Sequence, residues 1–249
     1  MFLRTVRQHL SFLKVCNPHR SYNFLDKNEV VINDRRVTSW DAPVDAVNDV
    51  IVLNGNILPR HKFTYLALNK PCGYVCSTVS DRSKTVYDLI PSEYRNLRTV
   101  GRLDKDTSGL IVLTDDGVFS HWLTSPEANI KKTYHVWLAD YVSPWEQYDY
   151  EVKCKCGIFL PACEKSPAFT AAGAKLEWLD AGLPELGCCA SVSECLLTIH
   201  EGKFHQVRRM FKALGNDVTK LKRIAIGNLE LRNLEEGEFR LIDTQLRLL

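Results

Sequence analysis

Residues Gly101–Gly117 read GRLDKDTSGLIVLTDDG. Leu97–Val100, just ahead, and Leu110–Thr114, within it, are short apolar, β-branched runs, the composition of buried strands. Between them, Arg102, Asp104, Lys105 and Asp106 are crowded into one tight turn. Turns at the ends of sheet strands are where rigid scaffolds display catalytic groups. A charged turn whose Asp merely caps the backbone has the same composition, so this stretch alone leaves both readings open.

The same strand character recurs at Tyr65–Leu68, Gly73–Ser77, Thr133–Leu138, Lys175–Leu179, Val192–Ile199 and Phe239–Ile242. One later segment is clearly helical: in His205–Leu214 the residues Val207, Met210, Phe211 and Leu214 fall at i, i+3, i+4 and i+7, and Gly215 follows as a stop. Many short strands with few helices predict an α+β domain with a mixed, largely antiparallel sheet. Upstream, Leu3, Val6, Leu10 and Leu13 recur at helical spacing and a second short helix is expected from about His19 to Lys27, with Asn28 as a left-handed stop. Val30–Ile32, the Asp34-Arg35 turn and Val50–Leu53, ended by Asn54-Gly55, add a small hairpin. The expected organisation is a two-helix-plus-hairpin domain over 1–58, a linker at 59–62 and the sheet domain over 63–249.

A chain of 249 residues has room for both. The net charge of +2 is unremarkable, but its distribution is not. Met1–Leu25 contains Arg4, Arg7, Lys14 and Arg20 and no acid. Lys203–Arg223 holds Lys203, Arg208, Arg209, Lys212, Lys220, Lys222 and Arg223 against Asp217 alone. Such stretches suit a polyanion; solvated helix faces have the same composition. The acid-free start also has the composition of a mitochondrial transit peptide, a reading ranked second because the same residues build the first helix. No apolar run approaches the roughly 20 residues that span a bilayer. Nine cysteines, an odd number, with Cys154, Cys156, Cys163, Cys188, Cys189 and Cys195 clustered, lack the Cys-x-x-Cys repeats of structural zinc and read as reduced thiols.

Four ordered segments resemble pseudouridine synthases of the RsuA and RluA superfamily: LNKPCGYVCST (Leu68–Thr78), GRLDKDTSGLIVLTDDG, SHWLTSPEANIKKTYHVWL (Ser120–Leu138) and EGKFHQVRRMFKALGN (Glu201–Asn216). Together they cover nearly all of 63–249. The N-terminal segment is similar to the small RNA-binding module of ribosomal protein S-four, with His19-Arg20 where that module usually has Ser-Arg and Asn28 and Asp34 where it has glycines. The pairing resembles the RsuA branch, closest to its small-subunit enzyme.

The resemblance implies isomerisation of a specific uridine in ribosomal RNA. It places the catalytic carboxylate on Asp104, the functional tyrosine on Tyr134 and the basic partner of the nucleophile on Arg208, and gives Asp106 no chemistry. Arg102 would fill the gap left by the flipped base, while Lys131, Lys132, Arg209 and Arg223 are expected to contact phosphate. A carboxylate nucleophile attacks either carbon 6 of the ring or the anomeric carbon of the ribose. It must stay ionised away from water, hence the expected cationic neighbour. The reaction is redox-neutral, so no cofactor and no metal are expected. The expected partner is ribosomal RNA or an assembling ribosomal subunit, met by a cytoplasmic monomer. The rival class is a non-enzymatic rRNA-binding or assembly protein, which shares the basic faces but gives Asp104, Tyr134 and Arg208 no reason to converge. A zinc deaminase is excluded by the missing His/Cys-x-Glu and Pro-Cys-x-x-Cys signature.

Overall fold

Residues 4–17, 23–78, 82–179 and 193–242 are described by the structure, a computed structural model. The chain divides into two units, Met1–Thr64 with Asp116–Phe119, and the remainder.

In the first unit, β1 (Arg4–Thr5) leads into α1 (Val6–Phe12). Thr5 caps that helix: its hydroxyl accepts from the Gln8 amide at 3.3 Å, and the Gln8 side chain accepts from the Thr5 amide at 2.9 Å. Helix α2 spans Phe24–Lys27, and the earlier part of the expected second helix lies outside the described residues. Asn28 is not a left-handed stop; its backbone is extended, and its amide nitrogen instead donates to the Phe24 carbonyl. Strands β2 (Val30–Ile32), β3 (Arg35–Arg36), β5 (Ile51–Leu53) and β6 (Asn56–Ile57) form an antiparallel sheet, while β4 (Pro43–Val44) pairs with β1. Both hairpin turns, Asn33-Asp34 and Asn54-Gly55, have two successive positive φ angles, the turn that matches strand twist. Asn54-Gly55 therefore folds the chain back into β6. Val6, Leu10, Val30, Val44 and Ile51 form the core. Arg4 is buried, ion-paired to Asp116, with its guanidinium 3.7 Å from the Phe63 ring centre.

The second unit is built on nine strands among the described residues: β7 (Tyr65–Lys70), β8 (Arg98–Val100), β9 (Ser108–Thr114), β10 (Lys132–Leu138), β13 (Lys175–Trp178), β14 (Glu194–Ile199), β15 (Val218–Ile226), β16 (Leu229–Glu230) and β17 (Phe239–Leu241). Their order is β13-β14-β10-β15-β9-β7-β17, with β8 on β9 and β16 on β15. All pairs are antiparallel except β15 with β9, so the sheet is mixed and largely antiparallel, the α+β fold expected. Strands β7 and β9 are buried along their whole length, which explains their unbroken apolar runs. Strands β10 and β14 alternate instead, burying Tyr134, Val136, Leu138, Leu197 and Ile199.

Helix α4 (Pro144–Cys156), a small ribbon of β11 (Ile158–Leu160) with β12 (Phe169–Ala171), and helix α5 (Gln206–Ala213) complete the unit, and helix α3 (Gly117–Thr124) is divided between the two units after Phe119. Gly215, at φ 91°, ends α5 as expected. Gly73–Ser77 is not a strand; it contributes one bridge, Val75 to Thr85. All seven described cysteines are free, and burial pushes the Cys154 thiol up to about 12; Cys188 and Cys189 lie outside the described residues.

Gly109 sits where β9 meets β15. Its φ is 106°, and a Cβ there would lie 2.2 Å from the Arg223 carbonyl oxygen and 2.6 Å from the Arg223 nitrogen. Both obstacles are backbone in a central strand, so no side chain can yield. Gly109→Ala is expected to destabilise the fold by at least about 3 kcal/mol, read as a shift in urea midpoint. A loss under about 1 kcal/mol would contradict this packing.

Candidate active site

The turn carrying Asp104 hangs between β8 and β9, closed by the Thr107 amide donating to the Asp104 carbonyl at 3.1 Å. It rests on residues 70–76. Lys70 is fully buried, and its ammonium donates to the carbonyls of Pro71 at 3.0 Å, Tyr74 at 2.9 Å and Lys105 at 3.4 Å. The Gly73 amide donates to the same Lys105 carbonyl at 2.7 Å. The Cys76 sulfur accepts from the Leu103 amide at 3.4 Å, and the Cys72 thiol donates to the Asp106 carbonyl at 3.4 Å. The turn is thus tied down on both sides of Asp104, the pre-organisation a reacting carboxylate needs.

Burial lowers the Lys70 pKa, opposed by Cys76, Cys72, Asp106 and Asp104. The folded state therefore releases this proton before the unfolded chain does, and the charged form costs stability below the folded pKa. As pH rises from that pKa toward the ordinary 10.5, the unfolded chain binds more protons and stability increases. Lys70→Met should lack this rise, tested by urea midpoints at about pH 8 and about pH 10. An equal rise in both proteins would contradict the assignment. The same variant should lose activity, because the turn loses its central tie.

Asp104 is about one-third exposed, and its Oδ1 stands 3.4 Å from Nε2 of His205. His205 precedes α5 in a left-handed conformation, φ 47° and ψ 31°, its ring stacked on Phe204 at 3.9 Å and 13°. Arg208, the expected partner of Asp104, is bonded elsewhere. Its Nη2 lies 2.9 Å from Asp106 Oδ2 and donates to the Asp106 carbonyl at 3.3 Å, while Nη1 donates to the Val218 carbonyl at 2.8 Å. The expectation is corrected on this point: the cation beside Asp104 is a histidine when protonated, and the arginine holds the next carboxylate along. Asp106, assigned no chemistry from the sequence, acts as that anchor.

Tyr134 is buried on β10, in one apolar cluster with Leu103, Val207 and Phe211. Its register partner on β15 is Arg223, which pairs in turn with Gly109 on β9. The tyrosine, the Asp104 turn and the start of α5 therefore meet at one end of the sheet.

The expected phosphate contacts fare differently. Arg102 is exposed and makes no hydrogen bond or ion pair with another described residue. Arg223 is buried, with Nε donating to the Leu110 carbonyl at 2.8 Å, and is no surface contact. Arg209 braces the protein: it donates to the Pro161 carbonyl at 2.6 Å and the Ser166 hydroxyl at 3.2 Å, and lies 5.0 Å from the Phe169 ring centre. Lys132 donates to the carbonyls of Ile130 at 3.2 Å and His200 at 3.4 Å, and burial, then Arg223, lowers its pKa. These three basic residues serve the fold, whereas Lys131 is exposed. Two residues missed by sequence reading are Lys70, a lone cation ending an apolar strand, and His205, the last residue before an amphipathic helix.

Comparison with known proteins gives the class to which this fold belongs, an RNA-modifying enzyme. Residues 64–213 match the family described as RNA pseudouridylate synthase, and the chain belongs to that family. It is 39% identical over 218 residues to the ribosomal small subunit pseudouridine synthase A of Vibrio vulnificus, covering 87% of this chain and 86% of that protein. It is 35% identical over 227 residues to the ribosomal large subunit pseudouridine synthase B of Bacillus subtilis, covering 91% and 86%. A crystal structure of a pseudouridylate synthase superposes with a TM-score of 0.65 at 35% identity, covering 97% of this chain and 96% of that one.

Proposed function

We propose that this enzyme isomerises one uridine of small-subunit ribosomal RNA to pseudouridine, with Asp104 as nucleophile. The observation that carries the mechanism is the Asp104 turn, tied to residues 70–76 and open to His205 on its exposed side. Several relatives at about 40% identity carry the small-subunit name, which favours that RNA over the large-subunit one.

The target base is inaccessible in a stack, so the nucleotide is flipped out at a cost of a few kcal/mol. Arg102, exposed beside the nucleophile, fills the vacated position through its planar guanidinium. The Asp104 carboxylate forms a covalent bond to carbon 6 or to the anomeric carbon, the N1 glycosidic bond breaks, the uracil turns and carbon 5 bonds to the anomeric carbon. The bond to Asp104 breaks (displaced by carbon 5 at the anomeric carbon, or eliminated from carbon 6) to return the free carboxylate. Tyr134 offers a ring face to the base and a hydroxyl to take or relay the carbon 5 proton. His205 orients Asp104, and Arg208 fixes the turn through Asp106.

The first unit, two helices and a hairpin sheet, is proposed as the S-four-like RNA-binding domain, joined at about 59–62 to a catalytic domain over 63–249. No helix among the described residues is long and apolar enough to cross a membrane. The proposed working form is a cytoplasmic monomer acting on ribosomal RNA or an assembling subunit.

The direct assay uses small- and large-subunit rRNA transcripts tritiated at carbon 5 of uridine. The expected result is tritium release to about one equivalent per small-subunit transcript, and none from the large. Release from the large-subunit transcript alone would overturn the substrate assignment.

A further inference from the structure

Tyr134, Val136 and Leu138 of β10 and Leu221 and Arg223 of β15 face the core. Because strand side chains alternate, Thr133, His135 and Trp137, with Lys220, Lys222 and Ile224, emerge on the other face of the sheet. There they line a groove of about 550 Å³, within the range that accommodates small ligands.

Its composition is specific. The His135 and Trp137 rings stack at 3.6 Å and 22°, and the His135 ring is held by Glu194 at 2.7 Å. In the antiparallel register Lys222 lies opposite His135 and Lys220 opposite Trp137, with the Lys220 ammonium 4.6 Å from the Trp137 ring centre. Arg232 adds a third cation to the lining, against one acid, Glu230. Lys220 and Lys222 belong to the basic stretch noted in the sequence, yet they point away from the side on which Tyr134 lies.

We propose that this groove is a second RNA site, taking a single-stranded segment whose phosphates meet Lys220, Lys222 and Arg232 and whose bases stack on the His135–Trp137 pair. The excess of cations fits a phosphate backbone, and flat rings interleaved with lysines are the construction that holds unstacked bases. A duplex keeps its base faces covered and cannot use those rings. An acidic peptide would satisfy the lysines but leave the stacked aromatic pair without a role. Since the groove lies behind the sheet from Tyr134, it grips RNA flanking the target without competing for the reacting base. The inference rests on RNA being the substrate, and its test needs no catalysis.

The probe is a fluorescein-labelled ribo-oligonucleotide of ten adenosines, which has no uridine to isomerise, titrated into the full chain at several salt concentrations. The paired substitution Lys220→Gln with Lys222→Gln is expected to weaken binding at least about fivefold and lower the salt slope by about 1.4, two single-strand phosphate contacts. Trp137→Leu should weaken binding about tenfold with the salt slope unchanged. Single-turnover isomerisation of saturating hairpin RNA should stay at the wild-type rate in both. Equal oligonucleotide affinity in wild type and the lysine variant would overturn the proposal. So would a decaglutamate peptide whose binding is lost in that variant while adenosine binding persists, which identifies an acidic protein partner instead. Should the wild type isomerise no ribosomal transcript while the oligonucleotide losses appear as described, the second site stands and the catalytic reading falls.

Discussion

Replacing Asp104 by asparagine is expected to reduce single-turnover isomerisation at least about a thousandfold while RNA affinity and unfolding midpoint stay near wild type. The amide keeps the size of the carboxylate but supplies no nucleophilic oxyanion. The side chain is about one-third exposed, and among the described residues its ion-pair contact is with His205, so the fold loses little with it. The turn is held by backbone groups of Leu103, Lys105 and Asp106, none of which the substitution touches. Activity within tenfold of wild type would remove Asp104 from the chemistry.

Arg208→Met is expected to lower the single-turnover rate by about 10- to 100-fold, through geometry rather than charge at the nucleophile. The guanidinium joins α5, the Val218 carbonyl on β15 and both the carbonyl and carboxylate of Asp106. Methionine leaves those groups unmatched and releases the turn two residues beyond Asp104; a displacement of about 1 Å is enough for a loss of that size. Lysine should recover only part of the rate, because one ammonium cannot reproduce the planar fork. The pairing also predicts a strongly non-additive cycle, since Asp106→Ala removes the same tie and the double variant should be little worse than Arg208→Met. Additive losses, or a fully active Asp106→Ala beside an inactive Arg208→Met, would place Arg208 on another group.

That pairing marks a limit of what the sequence discloses. Asp104 and Asp106 lie two residues apart in one turn, and either could meet a cation on α5. The choice is made by the backbone, where the Thr107 amide closes on the Asp104 carbonyl and Lys70 and Gly73 hold the Lys105 carbonyl. None of these contacts has a signature in side-chain pattern. The strand–turn–strand around Asp104 was legible because β9 is buried on both faces and written as one apolar run. Helix α5 was legible because Val207, Met210 and Phe211 share one buried stripe.

Helix α4 was missed for the opposite reason. It buries only Tyr150 and Cys154, while Trp145 and Tyr148 stand exposed, so its apolar residues trace no single face. Its start was nonetheless written in Ser143-Pro144 and Glu146, a capping box whose hydroxyl and carboxylate meet at 2.6 Å. Strand β15 was hidden by its charge: Lys220, Lys222 and Arg223 look like a solvated basic run. Alternation sends Leu221 and Arg223 inward, and the Leu110 carbonyl receives the Arg223 Nε. Arg209 misled in the same way, because composition records a positive charge and not the Pro161 and Ser166 groups that hold it.

The most direct test of the account is pseudouridine mapping of ribosomal RNA from cells lacking this protein, complemented with the wild-type chain or with Asp104→Asn. One small-subunit position is expected to be uridine in the deletion, pseudouridine with wild type, and uridine again with the variant expressed at equal level. A small-subunit map identical in all three strains, or a position restored equally by Asp104→Asn, would contradict it.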